Sequence, residues 1–201
     1  MKKLVLGAVL MLMVSGVCSA RSHDGENEDF RDHSPESTGS SGLGFALSAA
    51  FEFGGDKVAT VLYTDNSTQS VNAGQGASIS LGGHYRFDSP GLDIMATLGY
   101  KYVTTKASNA NIYIGRVVPA LEVSYYFTDS WWAGVGPVWH VNNEFRGGTL
   151  VQNLKFDTSM GVNLQAGWKY IALTYTNIKY TDQYKNKYDA SNFGLMFVGR
   201  F

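Results

Sequence analysis

The stretch Leu92-Asp93-Ile94-Met95-Ala96-Thr97-Leu98-Gly99-Tyr100-Lys101-Tyr102 alternates without a break. Leu92, Ile94, Ala96, Leu98, Tyr100 and Tyr102 form one set. Asp93, Met95, Thr97, Gly99 and Lys101 form the other. A period of two is that of a β-strand with two unlike faces. A tilted strand of about 9–11 residues crosses a bilayer, and this run is long enough.

Working outward, the same pattern recurs from Leu43 nearly to the end of the chain. Leu43, Phe45, Leu47, Phe51 and Phe53 alternate with small or polar residues such as Gly44, Ser48 and Glu52. Ile79, Leu81, Tyr85 and Phe87 alternate with Ser80, Gly82, His84 and Arg86. Val117, Pro119, Leu121, Val123, Tyr125 and Phe127 alternate with Val118, Ala120, Glu122, Ser124 and Tyr126. Met160, Val162, Leu164 and Trp168 alternate with Gly161, Asn163, Gln165, Gly167 and Lys169. Phe193, Leu195, Phe197 and Phe201 alternate with Asn192, Gly194, Met196, Val198 and Arg200. Two less regular segments, 131–141 and 171–180, complete eight strands. The second slips phase near Asn177, as a bulge would.

Alternation alone does not say which face is inside. Three features decide it. Connections alternate short and long. Asp88–Gly91, Thr128–Ser130 and Lys169–Tyr170 are tight; the regions 54–75, 103–112, 142–155 and 181–190 are longer and polar. Outer-membrane barrels have short periplasmic turns and long outer loops. Aromatics also gather at strand ends. Tyr85, Phe87, Tyr125, Tyr126, Phe127, Trp131, Trp132, Trp168 and Phe201 flank the tight turns. Phe51, Phe53, Tyr100, Tyr102, Trp139 and Tyr180 lie near the other rim. Two aromatic belts suit the two interfaces of a bilayer. Finally, the small-and-polar face is rich in Gly and sparse in charge, which suits the narrow interior of an eight-strand barrel. In lipid every backbone group must be satisfied, so the sheet must close.

The predicted fold is therefore all-β: an eight-stranded antiparallel up-and-down transmembrane β-barrel over residues 43–201. Lys57–Tyr63 and Gln69–Ala73 are β-prone and are joined through Thr64-Asp65-Asn66-Ser67, which is turn chemistry. They predict an extra hairpin in the first outer loop, either a lid over the mouth or an exposed hairpin.

The N-terminus reads as targeting sequence. Lys2 and Lys3 precede an apolar run from Leu4 to Val14, and Cys18-Ser19-Ala20 ends it with small residues. That order predicts a signal peptide over 1–20. The run is too short for a spanning helix. A lipoprotein would acylate Cys18, but Ser15-Gly16-Val17 makes a poor lipobox. Cleavage after Ala20 removes the only cysteine, and with it any disulfide or thiolate metal site. Removing Lys2 and Lys3 from 16 basic residues leaves 14, against 17 acidic ones. No basic excess points to nucleic acid. Residues 21–42 carry Asp24, Glu26, Glu28, Asp29, Asp32 and Glu36 and then a Ser/Gly tract, and are expected to form a flexible acidic periplasmic leader. His23 and His33 among these carboxylates make a weak metal set, and no metal or cofactor is expected.

The end, Gly194-Leu195-Met196-Phe197-Val198-Gly199-Arg200-Phe201, resembles the C-terminal strand signal of outer-membrane barrels. The resemblance implies recognition by the barrel-assembly machinery, with Phe201 as the signal. The chain also resembles a group of small Gram-negative outer-membrane β-barrel proteins. That resemblance rests on Gly54-Gly55-Asp56-Lys57, Tyr63-Thr64-Asp65, Ala73-Gly74-Gln75-Gly76, Gly99-Tyr100-Lys101-Tyr102 and Tyr188-Asp189-Ala190-Ser191-Asn192. It implies no activity and carries over no functional residue. The expected setting is the outer membrane, with both ends of the chain periplasmic and four longer loops outside. Lipid is then the main partner, the protein a monomer, and any surface ligand unknown.

His84, Arg86, Asp93, Lys101, Glu122, Lys169 and Arg200 share the inward parity. Unpaired charges in a dry lumen are costly, so these are expected to pair. They form either a static charged plug or a narrow polar pore; eight strands leave hardly any lumen, which favours the plug. Pro119 and Pro137 each remove a ladder donor and come nearly level across the Thr128–Ser130 turn. This is similar to the proline-flanked side openings of the lipid A palmitoyltransferase barrel, and would imply a lateral gap for a hydrophobic molecule. The alternative is a pair of local bulges. His140 is placed at the outer rim, and an acyl-modifying enzyme using it has no matching catalytic set. A structural or surface-interaction barrel and a transporter of small or hydrophobic solutes remain as the two classes of function.

Overall fold

The computed structural model describes residues 42–62, 68–88, 91–107, 110–148 and 152–201. The expected signal peptide and all of the acidic leader except Gly42 lie outside the described residues.

Thirteen strands are described: β1 (Gly42–Phe53), β2 (Lys57–Leu62), β3 (Thr68–Asn72), β4 (Gly76–Arg86), β5 (Leu92–Ala107), β6 (Ala110–Tyr126), β7 (Trp131–Arg146), β8 (Leu154–Lys155), β9 (Ser159–Trp168), β10 (Ile171–Asn177), β11 (Lys179–Thr181), β12 (Lys187–Asp189) and β13 (Asn192–Arg200). Eight of them, β1, β4, β5, β6, β7, β9, β10 and β13, pair antiparallel in that order, and β13 returns to β1. The ring is sealed at the chain's end. Phe45 donates its amide to the Phe201 carbonyl at 2.9 Å, and Phe201 donates back to Phe45 at 2.8 Å. A closed sheet has no edge, so no row of main-chain donors and acceptors is left to lipid.

The apolar set of each strand faces out. Ile79 is 61% exposed and Leu173 is 68% exposed, while Asp93 is fully buried. Burying apolar surface is worth about 25 cal/mol per Å². A wall built this way is unfavourable in water and favourable in hydrocarbon, and the barrel is a membrane-spanning one.

Three connections are tight, as the sequence predicts. At the β6–β7 turn Thr128 Oγ1 accepts from the amides of Ser130 (3.2 Å) and Trp131 (3.0 Å). The β9–β10 turn needs a left-handed residue and places Lys169 there with φ +51°. Lys169 is an exposed turn residue whose ammonium lies 5.0 Å from the Trp168 ring centroid, at the mouth of the lumen and outside the Asp93 cluster.

The four other connections differ more from expectation. The region 103–112 is not a polar loop: β5 and β6 stay paired up to Ala107 and Ala110. β2 and β3 form the expected hairpin. β11 pairs with β12 rather than continuing the barrel wall. Near Asn177 the chain leaves the ring without changing phase, since Thr174, Thr176, Ile178 and Tyr180 are all buried. The real phase change is in β7. Gly115 pairs with Glu144 but Val117 pairs with Val141, so β7 holds one extra residue there. Asn142, at φ +50°, is the residue that fits it. Beyond this bulge the odd-numbered Asn143 and Phe145 turn inward.

The bulge helps to close one end of the barrel. Ala59, Val71 and Ala73 from the first long connection meet Ile112 and Ile114 of β6. Phe145, Phe156, Ile178, Tyr180 and Ala190 complete the cluster. All four long connections or their flanking strand ends contribute. Of the two readings of the β2–β3 hairpin, the packed one matches: its own Val71, and Ala73 just after it, are fully buried in this cluster.

Candidate functional site

The lumen is filled in layers, and the β-alternation delivers each layer. The layer nearest the tight turns centres on Asp93. His84 Nδ1 donates to Asp93 Oδ2 at 2.8 Å, and Arg86 Nε approaches the same oxygen at 3.9 Å. Arg200 Nε is 3.5 Å from Asp93 Oδ1, while Arg200 Nη2 is 3.1 Å from Glu122 Oε1. Ser124 Oγ donates to Glu122 Oε1 at 2.5 Å. The guanidiniums also lie over rings: Arg200 is 4.4 Å from the Trp132 centroid and Arg86 is 3.9 Å from that of Tyr126. Cation–π contacts of this kind gain strength as water is removed.

Tyr126 and Trp132, expected in the aromatic belt beside the turns, therefore point inward. Trp132 is 1% exposed and donates Nε1 to the Lys169 carbonyl at 3.1 Å. Its ring lies so close to Gly167 that a Cβ there would fall on it. Tyr180, expected in the opposite belt, is also buried.

The middle layer is uncharged. Asn163 Nδ2 donates to Thr176 Oγ1 at 2.7 Å, and Gln165 Nε2 to Asn163 Oδ1 at 2.7 Å. A cavity of about 80 Å³ runs through this level and reaches Glu52, Lys101 and His140 above it. At the tight-turn end a wider vestibule of about 630 Å³ is lined by His84, Arg86, Asp129, Lys169 and Arg200 among others.

The upper layer lies beneath the apolar cap. Lys101 Nζ is 2.9 Å from Glu52 Oε2. Arg116 donates Nη2 to the Gln75 carbonyl at 3.0 Å. His140 Nδ1 hydrogen-bonds the Tyr180 hydroxyl. His140 is 2% exposed and faces the lumen, not the rim where the sequence places it.

Of the seven predicted interior residues, His84, Arg86, Asp93, Glu122 and Arg200 meet in one cluster, and Lys101 belongs to a second. Glu52 and Arg116 were not singled out from the sequence. Both carry the inward parity of their strands. Only the pairing of β5 with β6, and of β1 with β4 and β4 with β5, brings them beside Lys101.

Pro119 and Pro137 are near each other but not level. The β6–β7 register places Pro119 across from Trp139 and Pro137 across from Leu121, because Ala120 pairs with Val138. Direct pairs along this seam are sparse, at Val117, Ala120 and Val123, whereas β5–β6 pairing is unbroken over the same residues. The strands still approach closely, since a Cβ on Gly136 would collide with the Leu121 carbonyl.

No family model and no curated protein matches this sequence. Among solved structures the chain is similar to Ail, the attachment invasion locus protein of Yersinia pestis, in a complex with the heparin analogue sucrose octasulfate. The two are 8% identical, the match covers 78% of this chain and 97% of Ail, and the TM-score is 0.41. No site residue and no activity is carried over from it.

Proposed function

We propose that this protein is an integral outer-membrane barrel with a closed lumen, acting as a structural or surface-interaction protein. The tight turns and Phe201 face the periplasm, and the four long connections face outward. Outer-membrane lipid surrounds the monomer, and Phe201 is what the assembly machinery recognises. One observation supports this reading: the Asp93–Arg200–Glu122 cluster lies across the lumen at one end, and a shared apolar cluster lies at the other. A cap built from all four long connections also fixes those connections relative to one another. That makes an ordered platform suited to holding a partner or a neighbouring envelope component. Purified protein in planar bilayers is expected to give no discrete channels. Reproducible single-channel steps would overturn the closed-lumen reading.

A second reading, lateral passage of a hydrophobic molecule, has the sparse β6–β7 seam at Pro119 and Pro137 behind it. A disulfide between cysteines placed at Ala120 and Val138 would lock that seam. Loss of uptake of a hydrophobic solute on locking, restored by reduction, would support passage; unchanged uptake would end it.

A further inference from the structure

The middle layer of the lumen is polar and not fully packed. Gln165 on β9 and Thr174 on β10 are directly paired positions of inward parity. Gln165 gives Nε2 to Asn163, but its Oε1 is buried and has no hydrogen-bond partner. Thr174 is 5% exposed, and its Oγ1 is likewise buried without a partner. Both residues line the cavity of about 80 Å³. Space and unpaired polar atoms therefore coincide at one level.

The rest of the wall suits the same occupant. Ser48 and Ser80 are paired across β1 and β4, and with Thr97 of β5 they line the cavity too. On β7 the positions paired with Gln165 and Asn163 are Gly134 and Gly136, which put no side chain into the lumen. A buried polar atom without a partner is costly. Apolar cavities stay dry, but a cavity lined by hydroxyls and amides offers water the partners it needs. This one has room for roughly two or three water molecules and for no larger solute.

We propose that the middle lumen is a water-binding site, holding a hydrogen-bonded chain of roughly two or three molecules. Gln165 Oε1 accepts from one water, and Thr174 Oγ1 bonds to the next. The chain runs toward Glu52, because a Cβ placed on Gly194 would meet both the Glu52 side chain and Thr174 Oγ1. These waters belong to the filling of the barrel, in places that no side chain occupies. They are bound whether or not the ends of the lumen conduct.

Crystals of the intact protein that diffract well enough to show ordered water give the first test. Water density is expected within hydrogen-bond distance of Gln165 Oε1 and of Thr174 Oγ1. Thr174→Val keeps the shape of the side chain and removes the hydroxyl. With a water on Thr174, this change should lower the unfolding temperature in detergent by roughly 2–4 °C. In a dry cavity it removes an unsatisfied hydroxyl, and the unfolding temperature should hold or rise. Thr174→Ser keeps the hydroxyl and should keep the water density. If Thr174→Val does not fold, the density in the natural protein and in Thr174→Ser decides. An empty cavity in the natural protein overturns the proposal, as does Thr174 Oγ1 bonded to Glu52 in place of water. So does a Thr174→Val variant as stable as the natural protein.

Discussion

Arg200 on β13 and Glu122 on β6 stand diametrically opposed in the eight-strand ring, and their side chains meet across the lumen at 3.1 Å. The ring is narrow enough for one arginine to span it. The same guanidinium also reaches Asp93 on β5 and the Trp132 face on β7. One residue, the last of β13 and the neighbour of Phe201, thus ties the interior together.

Breaking this strut from one side should be costly. Glu122→Ala leaves Arg200 with Asp93 alone, and Arg200→Ala takes the cation from Glu122 and leaves Asp93 to His84 and Arg86. Each loss is expected to destabilise by about 3–5 kcal/mol. Replacing both together by Leu and Met should cost less, since Asp93 keeps His84 and Arg86 and no buried charge is left without a partner. Urea unfolding in lipid vesicles, compared across the three variants, measures the difference. Equal losses in the single and double variants would contradict the pairing.

Glycines mark where the wall and its filling nearly touch. Gly167 lies against the Trp132 indole, so Gly167→Val should prevent formation of the compact, heat-modifiable species expected of the folded barrel on electrophoresis. Gly83 has only the Gly44 carbonyl nearby, at 3.5 Å from a Cβ placed there. Gly83→Ala is expected to change stability by no more than about 0.5 kcal/mol. A folded Gly167→Val protein with an unshifted Trp132 would show the contact to be wrongly drawn.

The cap should separate from the barrel. Val71, on β3 of the hairpin, is fully buried, so Val71→Asp places a charge among apolar side chains. The expected result is rapid protease cleavage within residues 57–72 while the β1–β13 closure survives. Electrophoretic heat-modifiability reports the closure, and the fragment masses report the cleavage. Uncleaved hairpin in the variant would argue against the packed cap.

Acid should loosen the connection between β11 and β12. Asp182 is buried, and burial alone would raise its carboxyl. The Asn186 side chain and amide, the Tyr184 amide and the Tyr188 hydroxyl outweigh this and hold it below the usual 3.8. Asp189 is held down by the hydroxyl and amide of Ser191. A carboxylate with a lowered folded value adds stability above its unfolded value and loses it as pH falls through the folded one. Hydrogen-exchange protection of the Tyr184 and Asn186 amides should therefore hold at neutral pH. It should drop as pH falls below about 3.8, and Asp182→Ala should lack it at every pH. Constant protection in the natural protein through this range would refute the assignment.

The barrel was legible because its evidence is local. Leu92–Tyr102 alternates within one strand, the wall faces hydrocarbon, and a period of two therefore writes the inside and outside directly into the chain. The tight turns at Thr128–Ser130 and Lys169–Tyr170 were equally plain, since turn chemistry is a matter of a few adjacent residues. The parity of His84, Asp93, Glu122 and Arg200 likewise marked them as interior.

What the chain alone did not reveal lies where neighbours come from far away. Lys169 has interior parity, but the turn claims it. Asn142 resets the phase of β7 through one extra residue that propensity does not announce, and so Asn143 and Phe145 point inward. Trp132 and Tyr180 carry aromatic-belt character by composition, yet cross-strand packing takes them inside. Arg116 gains its meaning only from Lys101 beside it and Glu52 beyond. The sequence by itself determined the barrel, its turns and which face is polar, because alternation is set residue by residue. Which charges meet, how four long connections share one cap, and that Lys101 lies beside Arg116 came only from the tertiary structure. Those outcomes depend on strand register and ring closure, which bring together residues far apart in the chain.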